Sequence, residues 1–320
     1  MERIDKLDRK IIYELGINAR QALSRLASLV GTSKQVVDYR MKRLVERGII
    51  KGFWTVIDHS RLGYFSFRVY LKLRNISPAK QQEMLHYLQH HKDIWWLVTI
   101  DGDWDIDFVV LVKDVFHYYH IWEEFIHRFM RYIYKHETAV YSHIQEFPKS
   151  YLIGKENKSS GIVISSKREE IKVDEIDLKL LQLISTNARM EIVQLAKEVK
   201  LDVRTVMKRI KMLTDKKIIA GYSAIIDLNK LGYRHYKILF YLFNTGRLEE
   251  MRRFALTHPN IIFLNKTIGG ADFELEFQVK DIEEFLKVLN EFKSVFHADI
   301  DHHYHFRVIE QYKMIYYPLS

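Results

Sequence analysis

The chain has 320 residues, 48% of them hydrophobic and 13% aromatic, which is enough apolar material for more than one ordinary core and too much for a disordered chain. It has no cysteine, which excludes disulfides, thiolate metal sites and thiol nucleophiles, and no apolar run approaches the roughly 20 residues of a membrane span. The net charge of +9 is unevenly spread: +6 on residues 1–64, +3 on 170–233, +2 on 151–169, and −1 on each of 65–150 and 234–320. Such segregation points to a polyanion partner and not to general solubility. The opening MERIDKLDRK has no apolar signal segment, so a cytoplasmic protein is expected.

In chain order, Leu7, Ile11, Ile12 and Leu15 follow helical spacing behind the capping residue Asp5, predicting a helix to about Ile17. Leu23, Leu26, Ala27 and Val30 mark a second, short helix that breaks at Gly31-Thr32-Ser33. Ser33 is suited to cap a third helix, whose Val37, Met41 and Leu44 form one buried stripe and which ends at Gly48. Three short helices with a tight turn before the third make a helix-turn-helix pattern, followed by the strand-like GFWTVID. Phe67–Leu73 then reads as a strand, Pro78–His91 as a helix, and Trp95–Val112 as two strands joined at Asp101-Gly102-Asp103. A helix over Asp114–Tyr134 and a strand over Ala139–Phe147 complete a β-α-β-β-α-β order, which is ferredoxin-like.

The whole pattern then recurs. Shifted by 169 residues, Asp5–Tyr64 falls on Asp174–Tyr233 without a gap and with about a third of positions identical. Ile176, Leu180, Leu181 and Ile184, then Ile192, Leu195, Ala196 and Val199, then Val206, Ile210 and Leu213 behind Asp202 repeat the three helices. Lys200 and Lys217 stand where the first copy has Gly31 and Gly48, so a turn requiring positive φ would be strained or reshaped there. Lys237–Phe243, Leu248–Thr257, Ile261–Val279, Ile282–Phe292 and Ile300–Ile309 repeat the ferredoxin-like order. The expected fold is α+β, in five segments: helix-turn-helix (winged-helix-like) domains at 1–64 and 170–233, sheet domains at 65–150 and 234–320, and a linker at 151–169.

LDRKIIYELGINAR, SRLASLVGTSKQVVDYRMKRLVERGIIKGF and VIDHSRLGY, with their second copies IDLKLLQLISTNAR and VRTVMKRIKMLTDKKIIAGYSAIIDLNKLGY, resemble the leucine-responsive regulatory protein/AsnC family of transcription regulators. The resemblance implies double-stranded DNA as partner, an effector-sensing and oligomerising sheet domain, and an amino-acid-like effector near a Gly-x-x-Asp turn. Gly102-Asp103-Trp104-Asp105 and Gly269-Gly270-Ala271-Asp272 stand at that turn. Gly102, Asp103, Trp104, Asp105, Gly269, Gly270 and Asp272 are therefore the candidate effector residues, against the plain alternative of a hairpin turn. Family members are expected to pair through their sheet domains. A duplicated chain can make that pair internally, as a pseudo-dimer that associates further into a homo-oligomer.

The third helix of the first copy presents Lys34, Gln35, Tyr39, Arg40, Lys42 and Arg43, suited to base edges and phosphates in a major groove. Arg204, Lys208, Arg209 and Lys211 are the second set, with Val203 and Met207 replacing polar neighbours. Arg20 and Arg189, which close the Asn-Ala-Arg signature, suit a structural tie as well as a phosphate. His302, His303 and His305, or His86 and His90, lack the complementary ligands of a metal site, and no catalytic motif is present, so no cofactor and no enzyme activity are expected. Two rival readings remain. Sirohaem decarboxylases share this domain order but need a histidine and arginine run where IWWLVTIDGDWD and IIFLNKTIGGAD stand; an architectural chromatin protein would bind DNA without sequence preference.

Overall fold

Each half begins with three helices whose ends are set by their caps. In the computed structural model, which describes residues 4–157, 159–164, 170–315 and 317, these are α1 (Lys6–Ile17), α2 (Leu23–Val30) and α3 (Lys34–Glu46), followed by strand β1 (Ile50–Ile57). Asp5 accepts the amide of Asp8 while the Asp8 carboxylate reaches back to the Asp5 amide, a reciprocal capping box. The second copy has α6 (Glu175–Ser185), α7 (Ile192–Val199), α8 (Val203–Asp215) and strand β7 (Ile219–Ile226), with Asp174 and Asp177 forming the same box. The turns keep one geometry in both copies: φ is 77° at Gly31 and 63° at Gly48, and 55° at Lys200 and 60° at Lys217. The second copy holds its lysines in the left-handed region and does not reshape the turn.

The strand after each helical module does not stay with it. β1 and β7 pair antiparallel as a two-stranded ribbon, centred on Trp54 opposite Ser223. The ribbon hooks each module onto the other: Ala19 N–H donates to Tyr222 O at 3.0 Å, and Ala188 N–H donates to Phe53 O at 2.9 Å. Ala224 is buried in the core of the first module, while Trp54 and Val56 are buried with Leu180, Ile184 and Leu213 of the second.

The sheet domains follow the expected order with two differences. The first has β2 (Phe65–Leu73), α4 (Pro78–His90), β3 (Ile94–Asp101), β4 (Ile106–Val112), α5 (Val115–Phe129) and β5 (Ile133–Glu146). A short β6 (Ile162–Ile164) lies on the β5 edge. The second has a one-turn helix α9 (Leu228–Leu231), then β8 (Arg234–Leu242), α10 (Leu248–Thr257), β9 (Ile261–Ile268), β10 (Phe273–Val279), α11 (Ile282–Phe296) and β11 (Ile300–Met314). The helix expected to reach Tyr134 stops at Phe129, and both last strands are longer than the periodicity predicts. Both strands cross between halves: β5 pairs with β2 of its own half through Ile133–Val140 and with β9 through Val140–Glu146, and β11 pairs with β8 and then, through its added length, with β3. The order β2-β4-β3-β11-β8-β10-β9-β5 closes on itself through β2–β5, so eight strands from two halves make one ring.

The second difference is residues 151–169. The described part is not a free tether: Leu152 is buried, Tyr151 packs on Tyr233, and a Cβ on Gly161 would lie 1.9 Å from Glu146 O. Residues 158 and 165–169 of that expected linker lie outside the described residues. Among the described residues no helix is long and apolar enough to cross a membrane.

Both faces of the ring strands are covered. Phe273, Leu275 and Phe277 of β10 face α10 and α11, and Val69, Leu71 and Phe108 face α4 and α5. The alternate positions point into the ring, where charge is buried. Arg68 donates to Glu274 at 2.7 Å and stands 3.2 Å from Asp107, with its guanidinium 4.6 Å from the Tyr141 ring centroid. Lys237 stands 2.6 Å from Glu274, and Glu276 accepts from Asn265 at 2.9 Å and lies 3.0 Å from His235. The sequence reading missed this cluster because alternating apolar and polar residues also describe a strand with one wet face. Its signal was the recurrence of a cation at Arg68 and Lys237, one at the same place in each copy.

Two outcomes are expected. Lys200→Gly and Lys217→Gly should each raise the unfolding free energy by about 0.5–1 kcal/mol, because relief of the left-handed strain exceeds the added chain entropy of glycine; urea midpoints check this. Burial, opposed by Arg68 and reinforced by Glu276, raises the Glu274 carboxyl from 4.5 to about 7. A raised folded-state value means that its contribution is fully present below pH 4.5 and is lost as pH rises through 7. The wild-type urea midpoint should therefore fall more steeply between about pH 5 and pH 7 than that of Glu274→Gln.

Candidate nucleic-acid interface

The third helix of each module is held by its inner stripe and exposed on the other side. Val37 and Leu44 bury α3, and Val206, Ile210 and Leu213 bury α8. Ser33 and Asp202 cap the two helices, accepting the amides of Val36 at 3.3 Å and Thr205 at 2.9 Å. Lys34, Gln35 and Tyr39 project into solvent from the first two turns of α3, with Tyr39 65% exposed. The equivalent positions on α8 are Val203, Arg204 and Lys208, also exposed, with Met207 beside them. One reader thus offers an amide, a phenol and an ammonium, and the other two cations on an apolar ground.

The remaining expected contacts divide. Lys42 and Lys211 make surface pairs with Asp38 at 2.8 Å and Asp215 at 2.7 Å, which a phosphate can replace at little cost. Arg40 is committed to the fold: its guanidinium binds Asp5 and lies 2.9 Å from Asp8, and Arg43 adds a second bond to Asp8 at 2.9 Å. Arg209 repeats this with Asp174 at 2.7 Å and Asp177 at 2.8 Å. The carboxylates that cap the first helix therefore also fasten the recognition helix. The amide of Asp8 and then Arg40 hold the Asp5 carboxyl below its usual range, and the same arrangement holds Asp174 down. Arg43 has Met212 as its counterpart, so only the first module has the doubled tie.

Arg20 and Arg189 tie the two modules together. Arg20 donates to Ala188 O across the pseudo-twofold axis, and Arg189 donates to Ala19 O at 2.5 Å while stacking over Phe53. With the β1–β7 ribbon, these bonds fix α3 and α8 in one rigid unit.

At the Gly-x-x-Asp turns the aspartates fasten each hairpin to the neighbouring strand end. Asp105 accepts from Leu73 N–H at 2.6 Å and Lys72 at 3.0 Å, and Asp272 accepts from Leu242 N–H at 2.9 Å. Trp104 is buried, with Lys135 4.3 Å from its ring centroid. Gly102, at φ 149°, lets the hairpin approach β11, where a Cβ would meet Phe306 at 2.9 Å. Gly270 lies close to Ala139 and Thr267, while Asp103 and Gly269 stay exposed. The His86 and His90 rings stack at 4.0 Å and His303 stacks on Phe240; among the described residues no three metal-ligating side chains converge.

Two family models match this chain: the AsnC-type helix-turn-helix domain over residues 4–45 and the winged helix-turn-helix DNA-binding domain over residues 173–220. The HTH-type transcriptional regulator Ptr1 of Methanocaldococcus jannaschii is 35% identical over 112 residues, covering 35% of this chain and 74% of the relative. The HTH-type transcriptional regulator LrpB of Bacillus subtilis is 27% identical over 121 residues, covering 38% of this chain and 81% of the relative. Among solved structures, the siroheme decarboxylase NirDL is similar with a TM-score of 0.65 at 12% identity, covering 98% of this chain and 94% of that one. At that identity the likeness is one of fold, and it extends through both halves.

Arg209→Ala should lower the thermal midpoint, because the buried Asp177 loses its charged partner at a cost of about 1–3 kcal/mol, and Arg40→Ala should lower it less, because Arg43 stays on Asp8. Differential scanning calorimetry without DNA reads this directly. Lys34→Ala, which removes only an exposed charge, should change the unfolding free energy by no more than about 0.5 kcal/mol.

Proposed function

This chain belongs to the Lrp/AsnC family of transcriptional regulators, in tandem form, and on that premise we propose that it binds DNA as a sequence-specific regulator with two unlike readers in one chain. The observation that carries the proposal is the ribbon of β1 and β7, locked by Arg20 and Arg189, which holds two exposed recognition helices in one unit. Lys34, Gln35 and Tyr39 choose sequence on one half-site; Arg204 and Lys208, with Lys42 and Lys211, contribute mostly phosphate contacts. The second half-site is read more loosely. The exposed hairpin backbone at Gly102, Asp103 and Gly269 is the proposed contact for an amino-acid-like effector, and the chain acts as a pseudo-dimer that associates further with its own copies.

The whole-chain likeness to NirDL supplies a second reading, in which the ring binds an iron tetrapyrrole and the protein is an enzyme. Against it, β3 and β9 carry Trp95, Trp96, Phe263 and Asn265 and none of the histidine and arginine run expected of such a site. Titration with an iron uroporphyrin, followed in the Soret band, separates the readings: no saturable shift is expected.

DNA fragments selected from a random pool should contain two unlike half-sites about one helical turn, or a multiple of it, apart. Lys34→Ala/Gln35→Ala/Tyr39→Ala should relax base choice in one half-site only, and Arg204→Ala/Lys208→Ala should reduce affinity for all sequences together with the salt slope. A perfect palindrome as the preferred site, or unchanged selection by the triple variant, would contradict this reading.

A further inference from the structure

Beneath the β1–β7 ribbon the interior of the ring opens into a cavity of about 110 Å³, several times what one water needs. Its apolar walls include Trp54 and Ile225 from the ribbon and Trp96, Tyr141 and Phe263 from the ring. Its polar lining contains two buried acceptors without a hydrogen-bond partner, Oε2 of Glu146, on a side chain 4% exposed, and Oδ1 of Asn265, 2% exposed; the lining donor Nε of Arg68 also lacks a hydrogen bond but faces the Asp107 carboxylate at 3.2 Å. The two stand on neighbouring strands, since Ile144 pairs with Asn265 and Glu146 with Phe263, so they are diagonal neighbours. Both partnerless oxygens call for a donor.

Charge points the same way. The carboxylates lining the cavity or directly behind it are Glu146, Glu276, Glu274 and Asp107, and the permanent cations are Arg68, Lys149 and Lys237. Burial, ahead of the neighbouring charges, raises both Asp107 and Glu274, so a further negative charge is unwelcome there. Aromatic walls favour a cation over an anion for a separate reason, because their faces are electron-rich.

We propose that this cavity binds a small organic cation, a primary amine with a compact apolar body, whose ammonium donates to Glu146 and Asn265 while its body packs on Trp96 and Phe263. An anion of the same shape would face two bare acceptors and a cluster in which carboxylates outnumber the arginine and lysine cations. The site differs from the hairpin contact proposed above and does not depend on DNA binding. It lies between the ribbon that carries both readers and the ring that joins both halves, so occupancy would bias the one joint the two share.

The test uses the full chain without DNA. Phenethylamine, isobutylamine and phenylacetate are titrated at pH 7.5 by isothermal calorimetry and by intrinsic tryptophan fluorescence, since Trp54, Trp95 and Trp96 line the cavity. At least one amine should bind saturably at about 1 mM or tighter, at least about tenfold more tightly than phenylacetate. Glu146→Gln should weaken it about tenfold, and Val109→Phe, which narrows the cavity, should abolish it. Absence of saturable binding by both amines, phenylacetate binding as tightly, or full affinity in both variants would overturn the proposal. Should either variant fail to fold, the wild-type comparison of amine with carboxylate still decides it, and failure here leaves the DNA reading to its own experiment.

Discussion

Arg68 reaches from the first half to Glu274 of the second, at 2.7 Å, in the middle of a ring that neither half can close alone. The inward faces of β2, β4, β8 and β10 carry Arg68, Asp107, Lys237, Glu274 and Glu276, and a single half would leave its share of these on an open sheet. Buried charges are tolerated only when paired, because desolvation of an unpaired one costs several kcal/mol. The second half is the more dependent: Lys237 faces two glutamates, and Arg68 of the first half supplies them with a second cation. Two copies of the second half would bury four glutamates against two lysines, so the charge pattern favours unlike pairing.

Everything on the DNA side rests on that closure. The crossing of β5 to β9 and of β11 to β3 fixes the two sheet domains, and β1 and β7 leave them as one ribbon. The ribbon, with Arg20 and Arg189 crossing between the modules, sets the relation of α3 to α8. A duplicated chain has no need for identical subunits, and its readers have diverged accordingly: Lys34, Gln35 and Tyr39 against Val203, Arg204 and Lys208. The scaffold has been kept where the readers have not. The capping boxes at Asp5 and Asp174, the tie from Arg40 or Arg209, and the left-handed turns are the same in both copies, even where lysine replaces glycine.

The helices were legible because their signals are local. Ser33 and Asp202 cap α3 and α8 as their side chains suggest, and Gly48 lies at a positive φ just past the end of α3. The duplication was legible because identity survives in the scaffold residues. The parts that were not legible are those in which a residue answers to an element distant in the chain. β5 begins at Ile133 and not at Ala139 because its first part completes β2, and β11 runs past Ile309 to Met314 because its end joins β3 of the other half; no local periodicity reports either partner. Arg40 reads as a phosphate ligand on a helical wheel, and its pairing with Asp5 and Asp8 becomes visible only when α1 and α3 are packed. The charges inside the ring look like a wet face for the same reason: the cover comes from the other half.

The central claim is that one chain holds both recognition helices in a fixed relation. The chain has no cysteine, so Glu46→Cys and Asp215→Cys, at the exposed ends of α3 and α8, would carry the only two spin labels. Pulsed electron–electron resonance should give a single narrow distance distribution that persists when the labelled chain is diluted with excess unlabelled chain. A broad distribution, or a distance lost on that dilution, would show that the readers are not joined within one chain.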